Sequence, residues 1–276
     1  MRNEATRYCR RGFLALALIC AALPIAAQES WDAVRAQLYD DRPLLAGKGV
    51  IALDAPYRTA DDARTRVAAQ ITAPAGGLIS RVAVVLDENP MPVSADFALS
   101  QPQPYFFFDA TLRINGPTPV HVVAEMTDGR VFVSGGFIKT SGQGACAAPP
   151  GSDPKLALAT LGRMRLSVSD DLPGDAGAVL AGMAAGMKRL ELDISHPSHS
   201  GMQMDQVTLL FIPMRYVETV GVSANGTDYL RMTGSISLAE DPQIGMSVPA
   251  AIRRVDVTLT DTDGTVSSEH TELAGM

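Results

Sequence analysis

Residues 122–135 read VVAEMTDGRVFVSG, and residues 255–268 read VDVTLTDTDGTVSS. In each stretch apolar and polar side chains alternate on both sides of an Asp-Gly pair, Asp128-Gly129 in one and Asp263-Gly264 in the other. Alternation with a period of two marks a strand with one buried face, and Asp-Gly between two such runs is a strong hairpin signal. The same device near the end of each half suggests two β units. Short β-favouring runs fill the rest, at 67–73, 79–86, 105–113, 120–127 and 130–139, then 161–169, 189–194, 206–213, 217–224, 228–238 and 251–260. Turn clusters separate them at Ala75-Gly76-Gly77, Asn89-Pro90-Met91-Pro92, Asn115-Gly116-Pro117 and Asn225-Gly226. About seven short strands in each 100–115 residues predict an all-β chain of two tandem immunoglobulin-like β-sandwiches. Ahead of them, Ser30 is placed to cap a short N-terminal helix over 31–39, with Trp31, Val34 and Leu38 on one stripe. The helical competitor is 175–187, rich in Ala, Gly and Met. Its glycines argue for a mobile insertion between strands, with Met183 and Met187 filling gaps or lying on the surface.

The chain has 276 residues, 46% of them hydrophobic and 19% charged, a balance that excludes general disorder. A formal charge of −7 argues against a nucleic-acid or anionic-membrane binder. At the start, Arg2, Arg7, Arg10 and Arg11 precede an apolar run over 13–26, and Ile25-Ala26-Ala27 has the small residues of a cleavage site. Residues 1–27 therefore read as a secretory signal peptide. Within it, Arg10-Arg11-Gly12-Phe13-Leu14 fits the R-R-x-F-L pattern of twin-arginine export, which moves proteins already folded. The expectation is a periplasmic protein with no stable membrane association after cleavage. Cleavage after Ala27 takes the charge from −7 to −10, and basic partner surfaces become the natural expectation. It also removes Cys9 and Cys20, which leaves Cys146 alone in a compartment where thiols normally pair.

Cys146 falls in TSGQGACAAPPGSDPK, residues 140–155, a Gly/Pro-rich linker between a unit at 28–139 and a unit at 156–276. Such a linker offers nothing apolar to bury a thiol against, so Cys146 is expected to be exposed. A thiol with a pKa of about 8.5 is only a few per cent thiolate at neutral pH, yet still nucleophilic. That suits a carrier charged by other proteins better than an enzyme with its own base.

The first half resembles SoxY, through Trp31-Asp32-Ala33-Val34-Arg35, the run Leu53-Asp54-Ala55-Pro56-Tyr57-Arg58-Thr59-Ala60-Asp61-Asp62, Leu86-Asp87-Glu88-Asn89-Pro90-Met91-Pro92 and Thr127-Asp128-Gly129. The second resembles SoxZ through Ile194-Ser195-His196-Pro197, Ser200-Gly201-Met202, Ile212-Pro213, Asp241-Pro242 and the Asp263-Gly264 hairpin. In order and extent the chain is similar to the SoxYZ sulfur carriers of thiosulfate oxidation, in the single-chain form associated with quinoprotein dehydrogenases. The resemblance implies immunoglobulin-like halves, a periplasmic location, and a carrier cysteine on a glycine-rich arm that holds sulfur intermediates covalently. Cys146 is the position that matches. It implies as partners periplasmic sulfur-oxidising enzymes, c-type cytochromes or a quinoprotein dehydrogenase. Two departures stand out. The separate SoxY protein ends in Gly-Gly-Cys-Gly-Gly, whereas Gly144-Ala145-Cys146-Ala147-Ala148 stands here, tethered at both ends.

Other constellations carry less. His196 and His199, with Met202 and Met204, have copper-ligand chemistry, but Pro197 extends the stretch, so the four need not converge. His121, in an alternating strand, is expected to face the surface or pack with a partner. Asp54, Asp61 and Asp62 supply no acid–base pair and are expected to cap a turn before 64–70. With no catalytic order, phosphate loop or zinc spacing, the chain reads as a cofactor-free carrier and not an enzyme. The alternative is a non-covalent accessory or docking subunit of a periplasmic quinoprotein dehydrogenase, in which Cys146 is incidental.

Overall fold

A computed structural model describes residues 23–273, apart from 143, 149, 152 and 173–175. Helix α1 (Leu23–Tyr39) leads into two short strands, β1 (Leu44–Ala46) and β2 (Ile51–Asp54). Six longer strands follow: β3 (Thr65–Thr72), β4 (Ile79–Leu86), β5 (Val93–Gln103), β6 (Tyr105–Leu112), β7 (Thr118–Met126) and β8 (Val131–Ile138). A 3₁₀ turn at Ala145–Ala147 and helix α2 (Pro154–Ala159) connect to β9 (Met164–Ser169), α3 (Ala176–Ala184) and β10 (Met187–Ile194). The chain closes with β11 (Val217–Ala224), β12 (Thr227–Gly234), β13 (Gln243–Pro249), β14 (Arg254–Asp261) and β15 (Val266–Glu272). The fold is mostly β, in two sheets, as the alternating patterns predict. Both Asp-Gly pairs close the expected hairpins, β7 to β8 and β14 to β15.

The two sandwiches share their sheets. One sheet has nine strands in the order β1-β8-β7-β4-β5-β12-β11-β14-β15, and the other six in the order β2-β3-β6-β13-β10-β9. First-half strands β5 and β6 pair antiparallel with second-half strands β12 and β13, with Phe97 opposite Met232 and Phe108 opposite Met246. Buried side chains of both halves, among them Phe97, Phe108, Leu230, Met232 and Met246, form one continuous core. On the outer face of the six-stranded sheet, Asp109 of β6 takes Arg66 of β3 at 2.8 Å and Arg189 of β10 at 3.0 Å, an ionic link across the seam. Gly245 of β13 permits this approach, because a Cβ there would stand 2.3 Å from Asp109 Oδ1.

Several expectations are corrected. The helix begins upstream of Ser30, which therefore does not cap it. Its packing stripe is Trp31, Val34 and Tyr39 against Val85, Val123 and Val131, while Leu38 is exposed. The glycine-bearing stretch after residue 175 forms a helix, α3, because Ala181 and Ala185 lie against Ala68, Tyr105, Phe107 and Leu172 on the outside of the six-stranded sheet. Burial there outweighs the poor helix propensity of glycine. Met187 is buried at the start of β10, whereas Met183 is exposed. Residues 206–213 form no strand. The segment is a protruding loop, joined by one bridge between Met204 and Phe211 and turned by Asp205 Oδ1, which accepts from the amides of Val207 and Thr208. Most of the expected signal segment, with Cys9 and Cys20, lies outside the described residues. Among those described, no helix is long and apolar enough to cross a membrane.

Candidate functional site

Cys146 is fully buried, in contrast to the exposed thiol expected of a linker. The reason lies outside the linker. Asn115, at the turn before β7, accepts from the Cys146 amide at 3.2 Å through Oδ1. Its own amide donates to Asn89 Oδ1 at 3.0 Å, and Asn89 Nδ2 in turn donates to the carbonyl of Arg113 at 2.8 Å and to Ser237 Oγ at 2.9 Å. From the second half, the Ser200 hydroxyl donates to the Cys146 carbonyl, and Gln203 Nε2 donates to the Ala148 carbonyl at 3.0 Å. Glu240 Oε2 accepts from the Gly151 amide at 2.8 Å. The linker is thus clamped into the surface where the halves meet. Ser200 and Gln203 are themselves buried, and the Ser200 bond is fully shielded from competing water.

At its base the arm is held by Asp62. Burial works against ionisation of that carboxyl, but hydrogen bonds from Ser141 and Thr59 outweigh it and keep the pKa below the usual carboxylate range. The Ser141 amide reaches Asp62 Oδ2 at 2.9 Å. Of the other two acids, Asp61 does cap the expected turn, accepting from the Ala63 amide at 2.9 Å, and Asp54 pairs with Arg66 at 3.1 Å.

Arg113 stands just past β6, buried between Leu112 and Ile114. Its Nη1 donates to the carbonyls of Ser198 and Leu238, each at 2.6 Å, and to that of Ile236 at 3.4 Å. Burial lowers the Arg113 pKa, and the charges of Cys146 and Glu240 oppose the shift. Burial likewise pushes the Cys146 thiol up, against the pull of Arg113. A cavity of about 380 Å³ lies alongside, walled by Arg64, Arg113, Ala145, Ala148, Gln203 and Glu240, with Asp61, Ala63, Gly151 and Asp241 completing it.

The histidines are otherwise engaged. His196 Nδ1 accepts from the Ser198 amide at 2.9 Å, and Nε2 lies 3.4 Å from Asp261. His199 Nδ1 is 3.2 Å from Gln203 Oε1. Among the described residues, no group of three or more His, Cys, Asp or Glu side chains is arranged to hold a metal ion. His121, half-buried, stacks on Trp31 with ring centroids 3.8 Å apart and bonds Asp87 at 3.0 Å, so it fastens α1 to the sheet. Arg113, Asn115, Gln203 and Glu240 were not singled out by sequence reasoning. The available signal was Arg113 itself, a charge set between apolar residues at a strand end, where water is normally absent.

The site is thus a single cysteine held by side chains of both halves where they meet. Residues 35–146 match the family described as sulfur oxidation protein SoxY, and residues 181–272 match sulphur oxidation protein SoxZ. The chain carries these two domains in tandem, the composition of a fused SoxYZ-like sulfur carrier. No curated protein matches it. Among solved structures, the sulfur carrier protein SoxY from Chlorobium limicola f thiosulfatophilum is similar at 16% identity, with a TM-score of 0.33, over 41% of this chain and 98% of that one. A beta-glycosidase from Bacteroides vulgatus aligns at 10% identity and a TM-score of 0.21, over 86% of this chain and 25% of that one.

Proposed function

We propose that the protein is an exported carrier that holds a sulfur-containing intermediate covalently on Cys146 and presents it to partner redox enzymes. The observation that carries this reading is the position of Cys146. It is the last residue of the SoxY match, and motifs of both halves, Asn89 through Asn115 and Ser200 directly, hold its backbone. In this reading the buried position is the sheltered one, and the arm from 140 to 153 opens to present the sulfur. Small residues flank the cysteine, so the arm meets little steric resistance as it moves. The twin-arginine pattern supports assembly before export and action in the periplasm, and the family resemblance supports a quinoprotein dehydrogenase-linked pathway. Intact-mass measurement of the exported protein before and after reductant tests the proposal. A reductant-sensitive mass increase localised to Cys146 is expected. A bare thiol throughout, together with full activity of Cys146→Ser in the host, would rule the carrier out.

The loop at 204–214 favours a second reading, a docking subunit, because Val207 is 90% exposed and Leu209, Leu210 and Phe211 are also bare. Co-purification with a dehydrogenase that survives Cys146→Ser but is lost on Phe211→Ser would support it.

A further inference from the structure

Arg113 is 2% exposed, yet all three of its hydrogen bonds among the described residues leave from Nη1 toward backbone carbonyls. A buried guanidinium without an ion-paired carboxylate is costly, and a nearby anion offsets that cost. The side chain walls the cavity that also touches Ala145, the first residue of the cysteine turn, and Ala148, the residue just after it. Three carboxylates line the same space, but each accepts from a backbone amide: Asp61 from Ala63 at 2.9 Å, Glu240 from Gly151 at 2.8 Å, and Asp241 from His196 at 2.9 Å. Arg64 adds a second guanidinium, donating to the carbonyls of Glu240 and Asp241.

We propose that this cavity is the holding site for the negatively charged end of an adduct on Cys146, with Arg113 as its counter-ion. The inference rests on the carrier reading above. In the unloaded protein the thiol is neutral, and Glu240 acts on Arg113 only through space, which leaves the guanidinium without a directly bonded counter-charge. An adduct that ends in an anion supplies the missing charge where little water screens it; one that ends in a neutral group does not. Charge on the cargo therefore biases the arm toward its retracted position. A free anion meets the three carboxylates unaided, whereas one tethered through Cys146 arrives at high effective concentration.

Two alkylated proteins test this. Iodoacetate and iodoacetamide each replace the Cys146 S–H bond with S–CH₂ and release iodide and a proton, giving adducts of nearly equal size that end in a carboxylate or a carboxamide. Intact mass confirms complete reaction. Hydrogen exchange at the Cys146 and Ala147 amides is expected to be about tenfold slower in the carboxymethyl protein, the scale of one charge-assisted hydrogen bond. Arg113→Gln should remove the difference and Arg113→Lys should keep part of it. Equal exchange in the two wild-type adducts overturns the proposal, whether or not Arg113→Gln folds. A difference that persists in a folded Arg113→Gln protein overturns it as well. The mass of the native protein judges the carrier reading separately, so either can fail alone.

Discussion

Cys146 shows how far a residue's reactivity depends on neighbours remote in sequence. Its shelter comes from Asn115, Ser200 and Gln203, so access to the thiol is governed by those clamps. A neutral hydrogen bond contributes about 1 kcal/mol, roughly a fivefold change in an opening equilibrium. Ser200→Ala combined with Gln203→Ala should therefore speed iodoacetamide labelling of the native protein by about 25-fold if the two bonds act independently. Unchanged labelling kinetics would show that the arm opens by another route. His196 and His199 make a second residue-scale case, because burial lowers the pKa of each below its ordinary value. The unfolded chain binds a proton at about pH 6.5 that the folded chain resists, so their contribution is complete above that pH. It is lost as pH falls from there toward the folded pKa, by up to about 1.4 kcal/mol per pH unit for each group. Urea midpoints should fall between pH 7.5 and 5.5, with a smaller slope in His196→Gln. An equal slope in the variant would contradict this account.

At the scale of elements, α3 depends on close approach. A Cβ on Gly182 would lie 2.5 Å from Leu172 Cδ1 and 3.1 Å from the Tyr105 ring, so a side chain there must displace Leu172 and crowd the Tyr105 ring. Gly182→Val should destabilise the protein by about 1–3 kcal/mol through overpacking, measured by chemical denaturation. A neutral result would mean that α3 contributes little to stability. The same helix shows where a sequence reading runs out. Its Ala and Gly content describes a weak isolated helix, whereas the aromatic surface of Tyr105 and Phe107 that it covers belongs to a strand far away in sequence. Strands β14 and β10 were legible because their burial alternates. The seam strands β5 and β13 were not. Pro102 and three glutamines' worth of polarity across the two, together with Gly245, mask their patterns, and their second pairing edge is supplied by the other half.

For the molecule as a whole, two shared sheets and one core make the halves a single cooperative unit. Calorimetry should show one unfolding transition, and cleavage of the peptide between 140 and 153 should leave the halves associated; two separable transitions would contradict a common core. Asp109→Ala, which removes the carboxylate that Arg66 and Arg189 share across the seam, should lower that one transition and not split it. The cysteine stands out in the sequence by elimination, since cleavage at the expected signal site would leave no other. Its burial was not, because no local pattern records that two sheets meet beneath a Gly/Pro segment. The attachment of that segment at both ends has a further consequence. Cys146 lies about midway between Thr140 and Asp153, so at roughly 3.3 Å per residue it extends only about 20 Å from its anchors. In the proposed carrier it would travel as the bend of a doubled chain, whose two limbs stand about 5 Å apart when extended side by side. An enzyme that received it as proposed would need a broad, shallow mouth, and a narrow bore fitted to a single free end would turn it away.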